Sequence, residues 1–276
     1  MRIGIVGADS FHVPVYAQSL IKRGHEVIVY IDRMSQKLIS TNRIKDIIER
    51  LNAISTLTLT DTFEDLLECE AFLILSVDAS THRHHCEKLA HLNHPIYIDK
   101  PLTYMSDEEN LFLALSQKIP LFSASCLRFS KVVQEVKRDI TSRDIKHIEI
   151  KGPLAFVEDV PLMHWYGIHL FEILNELISD EITISNLTLN ERELRFTGTC
   201  DGVKISIIGD QYQRMPYQVI VDNHPYQLEN LSDVYERLVD TIEYFFQTNA
   251  SPVSIMNSFI VLKLLETIER ELNHES

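Results

Sequence analysis

Basic residues are scarce in this chain. Lysine and arginine number 26 against 40 aspartates and glutamates, a formal net charge of −14 over 276 residues. Nucleic-acid phosphates need a basic stripe, so the composition argues against a nucleic-acid partner. Long apolar runs are also missing. No stretch approaches the ~20 residues that span a bilayer, which excludes a membrane helix. Met1 leads directly into a strand-like apolar run, without the layout of a signal peptide. Cysteine is limited to Cys69, Cys86, Cys126 and Cys200, widely spaced and with no CxxC pair. That pattern fits a reducing, cytoplasmic setting and not a disulfide scaffold. What is present is ordinary: 45% hydrophobic residues, enough for a real core, in a length that suits two domains.

Short apolar runs alternate with helical patterns through the first half. Strands are expected at 2–6, 25–31, 57–59, 71–77, 95–98 and 121–123. Helices are expected at 11–22, 35–51, 62–67, 82–92 and 107–117. This alternation predicts a parallel sheet covered on both faces. After residue 123 the pattern changes. A helix at 131–140, a strand at 146–152 and a helix at 161–178 precede alternating segments at 181–189, 193–199, 204–209 and 218–222. Gly198, Gly202 and Asn223 supply turns, so this region reads as an antiparallel sheet. Two helices, 232–246 and 254–272, close the chain. The last is apolar nearly all round, which predicts burial or a subunit contact. The fold class is therefore α/β. A Rossmann-type parallel sheet forms residues 1–122, and an α+β domain with a mainly antiparallel sheet forms residues 123–276. Most of the acidic surplus falls in the second part.

Glycine is missing where a dinucleotide turn would use it. The G-x-G-x-x-G signature makes a turn, lets phosphates approach the backbone and packs helix on strand. The matching stretch here is Gly7-Ala8-Asp9-Ser10-Phe11-His12, with only the first glycine kept. Asp9 stands where a phosphate belongs. At about 4 Å the repulsion is roughly 1 kcal/mol in water and ~4 at an effective dielectric of 20. Asp9 either turns away to cap the helix or is offset by His12. Asp32, at the end of the second strand, is placed to take the adenosine ribose hydroxyls and favours NAD. Arg33 beside it could meet a 2′-phosphate instead, so NADP stays open.

Two further stretches carry chemistry. Asp99-Lys100-Pro101 follows the strand at 95–98, and strand carboxyl ends are where ligands bind in such sheets. A lysine there suits an acid/base or an anchor for a substrate hydroxyl. His164-Trp165-Tyr166-Gly167-Ile168-His169 crowds the start of a helix, and histidine titrates near neutrality. Gly167 within a helical pattern costs ~1 kcal/mol, which points to a packing or ligand reason. His82, His85 and Cys86 share a helix face at metal-ligand spacing, but a solvated helix start is the preferred reading and no metal is expected.

Together these residues resemble the glucose–fructose oxidoreductase / inositol dehydrogenase / MocA (Gfo/Idh/MocA) family, in a divergent branch. The Gly7 turn, Asp78-x-x-x-His82, Asp99-Lys100-Pro101, Arg128-Phe129 and Gly167-x-His169 carry the resemblance over essentially the whole chain. It implies NAD(P)-dependent hydride transfer at a hydroxyl or carbonyl carbon of a sugar, polyol or related small molecule. Lys100 and His169 are the implied catalytic pair, at a cofactor whose nicotinamide faces an interdomain cleft. Arg128, His164, Trp165 and Tyr166 are the implied substrate contacts. Gly7, Ala8, Ser10, Phe11, His12, Asp32, Arg33, Asp78, His82, Asp99 and Lys100 are the implied cofactor contacts. The family often has an aspartate four residues before its histidine, and here that position is Trp165. A homodimer through an apolar face of the second sheet is also implied. The alternatives are a non-redox ligand-binding or regulatory protein, and a cofactor-using lyase or epimerase.

Overall fold

The computed structural model describes residues 1–178, 180–228 and 230–274. They fall into two compact units. The first comprises Met1–Ala124 and Tyr235–Met256, the second Ser125–Val234 and Asn257–Ser276. The division expected at 122/123 contains no such return. It arises because Leu238, Val239, Ile242 and Phe245 need a core, and Phe245 meets Phe122 edge-on at 4.8 Å.

In the first unit, strands β1 (Arg2–Val6), β2 (Glu26–Tyr30), β3 (Thr58–Thr60), β4 (Ala71–Ile74), β5 (Ile96–Ile98) and β6 (Leu121–Ser123) form one sheet in the order β3-β2-β1-β4-β5-β6. Every pairing is parallel. This is the doubly wound order of a Rossmann domain, with its switch point between β1 and β4. The central strands bear side chains buried on both faces, as a sheet covered on both sides requires. Helices α1 (His12–Lys22), α2 (Leu38–Thr41), α3 (Ile44–Asn52), α4 (His82–Ala90) and α5 (Glu109–Ser116) connect the strands. The single helix expected at 35–51 is two. Ser40, Thr41 and Asn42 favour local hydrogen bonds over helix, and the Ser40 hydroxyl is committed to Asp9.

The second unit holds α6 (Lys131–Thr141), β7 (His147–Pro153), α7 (Gly167–Leu177), β8 (Thr183–Leu189), β9 (Glu193–Cys200), β10 (Val203–Asp210), β11 (Gln218–Val221) and β12 (His224–Gln227). Its sheet runs β12-β11-β7-β10-β9-β8. It is mainly antiparallel, with one parallel pair, β7 with β10. β12 went unread because Asn223 looked like a plain turn after a strand running to 222. Asp222 and Asn223 both have positive φ, the geometry of a tight two-residue hairpin. The helix expected from 161 starts only at Gly167. Before it, the Met163 amide donates to Glu269 Oε1, which His164 Nδ1 also reaches, so side-chain contacts rather than a helical ladder hold this turn.

One face of this sheet buries Ile148, Ile150, Phe196, Ile205 and Ile207. The opposite face is polar, not the apolar surface expected of a dimer contact. His147 Nε2 lies 3.0 Å from Ser206 Oγ, and Lys151 pairs with Glu149 at 2.7 Å. Helices α8 (Leu231–Thr248) and α9 (Ile255–His274) close the chain. α9 is one-sided rather than apolar all round. Phe259, Leu262, Leu265 and Ile268 are buried, while Lys263, Arg270 and Glu271 are exposed. No helix among the described residues is long and apolar enough to cross a membrane. All four cysteines are free and buried.

Candidate functional site

The carboxyl ends of the first unit's strands carry four buried aspartates, each satisfied from within. Gly7 leaves β1 at φ +110°, and a Cβ there would lie 2.6 Å from the Ser76 amide nitrogen. No side chain fits, so the β1–α1 turn can hug β4 only with glycine. Ala8 behind it is fully buried. Asp9 neither caps α1 nor meets His12. Its carboxylate turns inward, accepting from the Ser40 hydroxyl at 2.5 Å and the Val77 amide at 3.1 Å. Burial raises its pKa, against the pull of those donors, and nearby Asp32 adds to the rise. The Ser10 hydroxyl accepts from the His12 amide at 3.2 Å. α1 has no side-chain cap and no acidic residue in its first turn. The His12 and Val13 amides are taken by the Ser10 hydroxyl and carbonyl, and Pro14 has none, so what this end offers an anion is its dipole and the amides of the turn before it. Phe11 is exposed and carries the guanidinium groups of Arg43 and Arg50 over its ring at 4.7 and 5.3 Å.

Asp32 follows β2 and is held by the Met34 amide at 3.1 Å and by His85 Nε2 at 2.9 Å. Burial pushes this carboxyl up, but the His85 hydrogen bond and charge outweigh it, and the net shift is downward. Each oxygen accepts one of those bonds and keeps a second acceptor position. Arg33 is exposed, 3.8 Å from Asp61. Asp78 accepts from Ser35 and from the amide and hydroxyl of Ser80, so it clamps the loop after β4. His82 is fully buried, with Nε2 2.8 Å from the Ser76 carbonyl and Nδ1 3.1 Å from that of Pro101. It staples two loops rather than facing a ligand, and burial lowers its pKa. His85 and Cys86 are equally internal. The histidine cluster on α4 is thus packing, not a solvated start. The group of possible metal ligands among the described residues lies elsewhere, at Asp180, Cys200 and Asp201.

Asp99 and Lys100 end β5, and the Lys100–Pro101 peptide is cis. Lys100 is half-buried. Asp99 is buried, with Oδ2 2.7 Å from His12 Nδ1 and Oδ1 accepting from the Tyr97 hydroxyl at 3.2 Å. The phosphate-type turn is therefore tied directly to the residue preceding Lys100. Burial alone would raise the Asp99 pKa, but His12, with Lys100 behind it, holds it at about 2. A depressed carboxyl stabilises the fold above its unfolded value near 3.9 and loses that stabilisation as pH falls towards 2. Asp99→Asn is expected to remove about 2 kcal/mol of this pH-dependent stability. Urea unfolding at a series of pH values between 5 and 2 checks it, and an unchanged acid slope would refute it.

In the second unit, His169 sits half-buried in the first turn of α7. Its Nδ1 lies 2.6 Å from the Ser125 hydroxyl oxygen. Tyr166 and Tyr217 flank the ring edge-on at 5.9 and 6.2 Å. Glu172, one turn on, accepts from the Ser125 amide at 2.6 Å and from Arg128 Nε at 2.7 Å. Arg128 also donates to Asn175 at 2.9 Å and Glu176 at 3.3 Å, and it is only 1% exposed. It braces α7 from inside and is not presented to a substrate. The same holds for His164, buried against Glu269. Trp165 and Tyr166 remain half-buried in the turn before α7. Gly167 is the first residue of α7, not an interior position, and a Cβ there would meet Met163 Cε at 2.5 Å. Sequence reading missed Ser40 and Ser125, and placed His85 on a solvated helix start rather than against Asp32. Ser125 alone had a signal, since a serine two residues before Leu127 is an N-terminal cap pattern.

No protein-family model and no curated protein matches the sequence. Solved structures do share its fold. The myo-inositol dehydrogenase from Lactobacillus casei, solved with NAD(H) and myo-inositol, superposes with a TM-score of 0.77 at 13% identity, over 100% of this chain and 95% of the other. A myo-inositol dehydrogenase from Corynebacterium glutamicum gives 0.76 at 12% identity, over 98% and 96%. A Gfo/Idh/MocA family oxidoreductase from Vibrio cholerae gives 0.73 at 13% identity, over 100% and 99%. The fold is that of these oxidoreductases along the whole chain.

Proposed function

We propose that the chain is an NAD-dependent oxidoreductase acting at a hydroxyl or carbonyl carbon of a sugar, polyol or related small molecule. The observation that carries this reading is the β1–α1 turn. It has a glycine that nothing can replace, no acidic residue in the first turn of α1, and its one acidic side chain turned inward. These residues fit a dinucleotide. The amides of the turn ahead of α1 would hold the pyrophosphate, and the remaining acceptor positions of Asp32 would hold the ribose hydroxyls. The buried Asp32 carboxylate would repel a 2′-phosphate, which favours NAD over NADP. When bound, the nicotinamide supplies the hydride acceptor or donor. Lys100 hydrogen-bonds the reacting oxygen and stabilises its developing charge. His169 exchanges the hydroxyl proton.

A second reading, a family-like protein without redox chemistry, is favoured by the four buried carboxylates Asp9, Asp32, Asp78 and Asp99. Calorimetric titration with NAD and NADP separates the two. NAD is expected to bind at least about tenfold more tightly than NADP, a difference of roughly 1.4 kcal/mol. Binding of neither would favour the second reading. A screen of polyols and sugars with the bound dinucleotide, followed at the absorbance of the reduced form, then names the substrate class. A homodimer in the cytoplasm completes the proposal, on the resemblance and the free cysteines; analytical ultracentrifugation tests the dimer.

A further inference from the structure

Ser125 is held more firmly than a surface serine needs to be. It is fully buried. Its amide donates to Glu172 at 2.6 Å, and Arg128 fixes that carboxylate in turn at 2.7 Å. Its hydroxyl oxygen accepts from the Leu127 amide at 3.2 Å and lies 2.6 Å from His169 Nδ1. A hydroxyl oxygen has two acceptor positions. Leu127 takes one, so one remains for an Nδ1–H; donation by the hydroxyl to a bare Nδ1 would give the opposite ring tautomer. The carboxylate nearest in sequence, Glu172, is spent on the Ser125 amide and Arg128.

We propose that Ser125 is the positioning residue of His169: its hydroxyl accepts the Nδ1 proton, fixes the ring and directs proton exchange to Nε2. This rests on the oxidoreductase reading only for its consequence in turnover, since the Ser125–His169 contact exists without substrate. The partner is neutral. It orients the imidazole without offering the positively charged form an ion pair, unlike a carboxylate in the same place. Trp165, on the preceding turn, brings no charge either.

The test is nitrogen-15 NMR of the His169 ring in the unliganded protein, across a pH series, in the wild type and three variants. The wild type is expected to show the Nδ1–H tautomer. Ser125→Ala should lose that bias, and Ser125→Thr, which keeps the hydroxyl, should restore it. Ser125→Asp should raise the His169 midpoint by about one pH unit, because a carboxylate favours the charged ring. In turnover, Ser125→Ala should lower kcat on the order of tenfold with KM little changed, part of the 10²–10⁴ that acid–base catalysis supplies. The acid limb of the Ser125→Asp profile should move up with the midpoint. An unchanged His169 tautomer in Ser125→Ala and an unmoved midpoint in Ser125→Asp would overturn the proposal. Absence of dinucleotide binding with these NMR shifts intact would overturn the oxidoreductase reading instead.

Discussion

Lys100→Ala and His169→Ala are each expected to lower kcat by about 10²–10⁴, with folding intact. The size follows from the roles. Charge builds on the substrate oxygen as its proton leaves or as hydride arrives at its carbon, and a fixed ammonium in a partly dry site is worth far more there than in water. Lys100 suits this task because its backbone is pinned. Asp99 beside it is locked by His12 and Tyr97, so the lysine stem starts from a fixed point. His169 is pinned as well, through Ser125. Lys100→Arg keeps the charge but spreads it over a planar fork, and is expected to recover only part of the loss. Steady-state kinetics with the substrate found by screening decide the matter. Dinucleotide affinity of His169→Ala, measured in parallel, is expected to stay within about threefold, under 1 kcal/mol. If both alanine variants turned over like the wild type, the assignment of Lys100 and His169 would fail.

Arg128→Met is expected to cost about 3–5 kcal/mol of stability, the largest effect of any single change considered. The guanidinium is buried among Glu172, Glu176 and Asn175. Methionine fills similar space but leaves Glu172 with only the Ser125 amide, and an uncompensated buried carboxylate is what makes broken pairs costly. Pairing the change with Glu172→Leu removes the orphaned charge, and the double variant is expected to recover most of the loss. Urea unfolding midpoints of the single and double variants measure this. Additive losses in the double variant would show that the ion pair is not what matters. Arg128 is thus a stability residue with an indirect hold on His169, through Glu172 and Ser125.

Much of the fold was legible in the sequence. β1 and β6 match their expected bounds, and the strand–helix alternation was enough for the Rossmann-type unit. Apolar strands and amphipathic helices are local, so periodicity reports them. The polar interior was not legible. Asp32 meets His85 across 53 positions, and His12 meets Asp99 across 87. Such pairs depend on which strand ends come together, which no window of neighbouring residues encodes. Only the resemblance marks Arg128 as a substrate contact, and an arginine is seldom fully buried. Its burial depends on three acceptors on α7 that only folding brings to it. Asp9 shows the same limit. In sequence it is a charge facing a phosphate, while in the fold two donors turn it inward.

The return of residues 235–256 to the first unit bears on how the protein is made. Arg23 bonds Glu236 and Asp240, His12 and Tyr16 lie against Tyr235, and the Leu121 carbonyl accepts from Ser251. On the ribosome the six strands of the first sheet emerge more than a hundred residues before these partners do. The first unit therefore lacks part of its core, with Phe122 still without Phe245, until residues 235–256 have been translated. Its folding is coupled to late synthesis. A ribosome stalled after residue 124 would display a sheet that cannot yet close.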